Sequence, residues 1–152
     1  MYTPVAEWVK VGKNGYDDDA CDSHEPVLVE EILFWLQCKP GGVYVDCTLG
    51  YAGLAVRILD HSAPDGILVG IDRDMTALAE ARMRLGDAIA RVHVRHGNFR
   101  DLKTHVADSG VRQVDGVIFD LGVSSPQLDR AERGFSFRED GPLDMRMDQS
   151  EG

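Results

Sequence analysis

Val43-Tyr44-Val45-Asp46-Cys47-Thr48-Leu49-Gly50-Tyr51-Ala52-Gly53 is the stretch on which the fold turns. A short β-branched run follows the chain-breaking Lys39-Pro40-Gly41-Gly42, ends in an acid, and passes through a glycine-containing turn into apolar residues at helical spacing over 54–59. Strand, loop and helix in that order form the repeating unit of a parallel α/β sheet.

The unit recurs downstream. Residues 66–72 read as a second strand, and Asp74 stands where it can cap a helix running through Leu78, Ala81 and Leu85. Residues 92–94 read as a third strand, followed by a weaker helix over 102–107. A fourth strand over 116–120 is continuously apolar up to Asp120, as strands covered on both faces are. Upstream, Val27, Leu28, Ile32, Leu33 and Leu36 recur at helical spacing and mark a first amphipathic helix. The expected fold class is therefore α/β with a Rossmann-like sheet. Residues 1–22 read as a poorly ordered leader, 23–120 as the Rossmann-like domain, and 121–152, rich in Gly, Pro, Ser and charge, as a long functional loop.

Composition narrows the function classes. A chain of 152 residues with 43% hydrophobic residues can bury one core. No run approaches the roughly 18 apolar residues of a membrane span, and an N-terminal stretch carrying Asp17, Asp18 and Asp19 does not resemble a secretory signal, so no membrane partner and a cytoplasmic location are expected. Cys21, Cys38 and Cys47 lack C-x-x-C spacing and read as reduced thiols, with no metal site. A net charge of −10 argues against a surface that grips phosphates throughout. The basic stretch Arg91, His93, Arg95, His96, Arg100 and Lys103 reads either as a solvated face or as a local RNA contact.

In an open parallel sheet, ligands bind beyond the carboxyl ends of the strands at the switch point. Asp46, Asp72 and Asp120 fall at predicted strand ends, and Gly50 and Gly53 fall in the loop after the first strand. Asp72 follows Gly50 by 22 positions, about the spacing at which a Rossmann acid meets ribose hydroxyls. Asn98-Phe99 could offer a hydrogen bond and an apolar face to a purine. Each residue alone also admits a purely structural reading, the glycines as a tight turn and Asp72 as a helix cap. The loop does not fit G-x-G-x-x-G, which disfavours a nicotinamide cofactor. Beyond the fourth strand, residues 120–129 supply a carboxylate, two hydroxyls and an amide. For methyl transfer to a nucleobase amine, a carboxylate accepting the amine's hydrogens would favour the needed geometry, because the nitrogen must be aligned with the methyl donor rather than strongly activated.

Taken together, His24-Glu25-Pro26-Val27-Leu28, Asp46-Cys47-Thr48-Leu49-Gly50, Gly70-Ile71-Asp72-Arg73-Asp74, the segment 120–129, Arg133-Gly134-Phe135-Ser136-Phe137 and Gly141-Pro142-Leu143-Asp144-Met145-Arg146-Met147-Asp148 closely resemble the MraW/RsmH family of bacterial 16S ribosomal RNA (cytosine-N4)-methyltransferases. The resemblance implies S-adenosylmethionine as cofactor, contacted by Gly50, Ala52, Gly53, Leu54, Asp72, Phe99, Asp120 and Gln127. Asp120, Ser124, Ser125 and Pro126 would position the target amine. It implies 16S rRNA in the small ribosomal subunit as partner, with a decoding-region cytidine as substrate. The family's loop is a run of glycines followed by His and Ser, where this chain has Tyr51, Ala52, Leu54 and Ala55. Family members are also about twice as long, so the chain is expected to be an N-terminal half with a sheet incomplete at its C-terminus, an uncovered edge and a tendency to self-associate. Two other readings stand beside this one: a non-catalytic module that binds cofactor weakly, and a small-molecule methyltransferase, which leaves residues 120–148 unexplained.

Overall fold

A computed structural model describes residues 28–150. The expected leader, Cys21 and residues 24–27 of the first motif lie outside the described residues. Four parallel strands, β1 (Val43–Asp46), β2 (Ile67–Asp72), β3 (Val92–His96) and β4 (Gly116–Ile118), form one sheet in the order β3-β2-β1-β4. That is the first half of a Rossmann order, and it reverses direction at β1, leaving a crevice beyond the ends of β1 and β4. The helices are α1 (Val29–Leu36), α2 (Gly53–His61), α3 (Met75–Leu85), α4 (Leu102–Asp108) and α5 (Ser125–Asp129), with 3-10 turns at Gly86–Arg91, Phe99–Asp101 and Ala131–Arg133.

The reversal also sorts the helices. Right-handed crossovers that step one way along a sheet pack on one face, and those that step back pack on the other. Accordingly Tyr44 and Leu68 bury against α1, α2 and α3 through Leu33, Ile58, Leu59 and Leu78. Their neighbours Val45, Val69 and Ile71 face Leu102 and Val106 of α4 and Val111. Successive strand residues thus serve opposite layers, which is why β1 and β2 read as unbroken apolar runs.

The fourth strand departs from expectation. It ends at Ile118, two residues before Asp120, and only Ile118 is buried, while Val117 and Phe119 are 39% and 48% exposed. Burial on both faces needs neighbours on both flanks, and among the described residues no strand pairs with the outer side of β4. Apolar hollows stay open beside it, one against Trp35 and Leu36 of α1 and one against Val106 of α4 and Val114. Two smaller differences concern boundaries: Gly53 is the first residue of α2 rather than part of the loop, and the expected loop after β4 contains the five-residue helix α5. Among the described residues no helix is long and apolar enough to cross a membrane, and Cys38 and Cys47 are unbridged.

One close approach joins sheet to loop. A Cβ built on Gly70 would stand 2.7 Å from the Leu49 side chain, so the bare backbone of β2 lets Leu49 seat beneath the loop after β1. Gly70→Ala is therefore expected to cost about 1–3 kcal/mol by overpacking, read as a lowered denaturant midpoint, and Leu49→Val in the same chain should recover part of the loss.

Candidate functional site

The segment leaving β1 remains tied to both neighbouring strands. Cys47 donates its N–H to the Ile118 carbonyl at 3.0 Å, and Leu49 donates to the Ile71 carbonyl at 3.0 Å, so the chain spreads between β4 and β2 as it rises. Asp46 accepts the Thr48 N–H at 3.0 Å through Oδ1, with the Thr48 hydroxyl 3.4 Å from the same oxygen. That hydroxyl accepts the Asp120 N–H at 2.8 Å. Thr48 thus links the ends of the first and fourth strands. Gly50, in the left-handed region at φ 51°, turns its N–H onto Asp72 Oδ2 at 2.7 Å, and Asp72 Oδ1 accepts the Asp74 N–H at 2.9 Å.

These groups border a cleft of about 320 Å³, within the range of small-molecule sites. It is lined by Asp46 and Leu49 from β1 and the loop after it, Asp72 and Ala77 from β2 and α3, and Asp120 and Ser124 from the segment after β4. Burial pushes the Asp46 carboxyl up to about 7, against the hydrogen bonds from Thr48, and the carboxylates of Asp72 and Asp120 add to the rise. Burial also raises Asp72, although the Asp74 and Gly50 N–H groups oppose the shift. Carboxylates that resist ionisation so close together favour a ligand carrying positive charge.

The wall beyond β4 is held by one buried carboxylate. Asp74 Oδ1 caps α3, accepting from the Thr76 and Ala77 N–H groups at 3.0 and 3.3 Å. Its Oδ2 accepts from Gln127 Nε2 at 2.9 Å and pairs with Arg133 Nη2 at 2.9 Å, and all three residues are buried. Gln127 Oε1 accepts the Ser124 N–H at 3.1 Å. Burial would raise Asp74, yet the hydrogen bonds from Gln127 and Arg133 and the guanidinium charge hold it below the usual carboxylate range. Farther out, His96 Nε2 lies 2.9 Å from buried Asp148 Oδ2 and 3.2 Å from the Arg73 carbonyl, so it faces two acceptors.

Of the residues expected at the site, Gly50, Gly53, Leu54, Asp72, Asp120, Ser124 and Gln127 border the cleft. Ala52 does not; it is fully buried at φ 62° as the N-cap of α2. Ser125 and Pro126 form the first turn of α5, outside the lining. Phe99 also stands outside it, packed edge-on against Phe119 with ring centroids 5.5 Å apart. Two residues of the basic stretch are committed to the fold, Arg91 donating to the Leu59 and Gly66 carbonyls and Arg95 to Ser109 Oγ and the Asp108 carbonyl, while His93, His96, Arg100 and Lys103 are exposed. Sequence reasoning missed Thr48, Met147 and Arg133, whose roles depend on partners far along the chain. Among the described residues no group of three His, Cys, Asp or Glu side chains is placed to hold a metal.

Asp74→Asn keeps the shape of the cap but leaves Arg133 buried without its counter-charge, with an expected loss of about 3–5 kcal/mol. The sign for the native pair follows from the depressed Asp74: its contribution is present above the unfolded value of 3.8 and is lost as pH falls through the lower folded value. Chemical denaturation of both chains from pH 7 to pH 3 should show them converging at the acid end.

Residues 22–152 match the family model described as the MraW methylase family. The chain is 54% identical over 129 residues to ribosomal RNA small subunit methyltransferase H of Syntrophotalea carbinolica, covering 85% of this chain and 41% of that protein. It is 56% identical over 129 residues to the protein of the same name from a Geobacter species, with the same coverage of each. It therefore spans about two fifths of the length of these curated relatives. A solved structure from Clostridium thermocellum, described as an rRNA methylase, superimposes with a TM-score of 0.53 at 22% identity over 62% of this chain and 50% of that one, which bears on the fold alone. By sequence across nearly all of its length, the chain belongs to the MraW methylase family.

Proposed function

We propose that the cleft binds S-adenosylmethionine and that the chain is the cofactor-binding part of an enzyme that methylates the N4 amine of a cytidine in 16S rRNA of the small ribosomal subunit. The observation that carries this reading is the acidic cleft at the switch point, in which Asp72 is fixed to Gly50 at 2.7 Å, in a chain of this family. The Asp72 oxygens each accept one backbone N–H and keep lone pairs for ribose hydroxyls. Asp46 and Asp120 supply negative potential for a cation. Bound there, the cofactor would supply a methyl group already activated by its positive sulfur.

What remains for the chain is positioning. Asp120 is exposed at the rim, with its N–H anchored on Thr48 and its carboxylate able to accept the hydrogens of an exocyclic amine. Ser124 lies beside it on the same wall, while Ser125 and Pro126 would act only by shaping α5. A second reading, cofactor binding without transfer by this chain, is favoured by the open flank: Phe119, Leu121 and Val123 are exposed on the substrate side of the cleft.

Calorimetry with S-adenosylmethionine should give a heat of binding, and Asp72→Ala should weaken it about 10- to 100-fold, the worth of one or two hydrogen bonds to a charged group. Methyl transfer to small-subunit particles then separates the two readings, and transfer to ribose or to a small molecule would overturn the first. For Asp46, pushed up to about 7, a cationic ligand favours the ionised form. Affinity should thus fall up to tenfold per pH unit below about 7 and level off above it. Asp46→Asn should lose that slope, the cofactor's own titration being common to both chains.

A further inference from the structure

We propose that Arg133 is a positioning residue for the cofactor cleft: it does not border the cleft, and through its ion pair with Asp74 and its hydrogen bond to the Met147 carbonyl it sets Gln127, Ser124 and Met147, which do. The inference rests on the reading of the cleft as a cofactor site.

A single guanidinium nitrogen, Nη2, reaches Asp74 Oδ2 at 2.9 Å and the Met147 carbonyl at 3.0 Å. The same Asp74 oxygen accepts Gln127 Nε2, while Gln127 Oε1 accepts the Ser124 N–H. The Gln127 amide therefore has one orientation; flipping or swinging it leaves a buried polar group unpaired. Three residues of the cleft lining, two at the start of the five-residue helix α5 and one in the irregular segment that follows, take their placement from one buried cation. Gly134 makes the return of the chain feasible. It lies in the left-handed region at φ 74°, and a Cβ there would collide with the Asp144 carbonyl, so only glycine lets the chain approaching Met147 lie against Arg133.

The arrangement is not one that stability alone would select. Arg133 Nε is buried with no partner among the described residues, and a buried ion pair is often matched or bettered by apolar side chains of the same volume. What an apolar replacement could not do is bind Asp74 and the Met147 carbonyl together.

The test is a cycle of Arg133→Met, Gln127→Ala and the double variant, with Arg133→Lys as a charge-retaining partner. S-adenosylmethionine affinity is measured by calorimetry at a temperature where circular dichroism shows each chain folded. Gln127→Ala and Arg133→Met should each weaken binding at least tenfold, the double variant no more than twofold further, and Arg133→Lys should fall between native and Arg133→Met. Equal loss from Gln127→Ala with and without Arg133, or native affinity in folded Arg133→Met, would overturn the proposal. If Arg133→Met does not fold, the cycle is read with Arg133→Lys. Amide exchange supplies a readout that needs no cofactor: residues 124–130 and 145–148 should exchange at least tenfold faster in Arg133→Lys while β1 and β2 stay as in the native chain. Unchanged exchange there overturns the clamp. No heat of binding in the native chain would instead sink the cofactor reading and leave exchange to decide the role of Arg133.

Discussion

The carboxylate of Asp72 is the constraint on which the cleft depends. It stands at the end of β2 and accepts one backbone N–H from the loop after β1 and another from the start of α3. Two turns that would otherwise leave their donors unpaired are joined at one point. Because Asp74, two residues later, caps α3, the same short stretch fixes the glycine loop, the helix and, through the second oxygen of Asp74, the wall beyond β4.

The acids of this region are treated unequally, and the inequality has chemical content. Asp74 is neutralised by a buried arginine and held below the ordinary carboxylate range. Asp46 is as deeply buried but among the described residues is hydrogen-bonded only by Thr48, and its carboxyl resists ionisation. One carboxylate is thereby consumed by the architecture, while the other keeps a demand for positive charge that the described residues do not meet. A site that leaves such a demand open is suited to a cationic ligand, and the cost of an unmatched buried acid is one that functional positions commonly carry.

Much of this was legible in the sequence because it is local. Strands and helices followed from periodicity, the Asp74 cap from its place ahead of α3, and the place of Asp72 at the end of β2 from its spacing after Gly50. The rest escaped where distant residues decide. Nothing in residues 130–134 announces that Arg133 meets Asp74, since the two are brought together only by the return of the chain over the sheet. The apolar run at 116–120 reads like a central strand, but burial depends on flanking neighbours that composition cannot reveal. Phe99 looked like a purine partner because it follows β3, yet the 3-10 turn at Phe99–Asp101 directs its ring onto Phe119. Within the basic stretch, Arg91 and Arg95 turn inward because of carbonyls that a sequence does not display, while its other four residues are exposed.

The strand order also sets a timetable. Partners in β1 and β2, such as Val43 and Ile67, and in β2 and β3, such as Leu68 and Val92, are each separated by 24 residues, whereas β1 meets β4 across 72, from Tyr44 to Gly116. Closing the longer loop costs more entropy and waits for more of the chain to be synthesised. The strands that flank Gly50 and end in Asp72 have their pairing partners nearby in the chain, while Asp120, Gln127 and Arg133 lie beyond the long connection to β4. A growing chain of this order meets the Asp74 cap before it meets Arg133, so the ion pair joins a late segment to an early one.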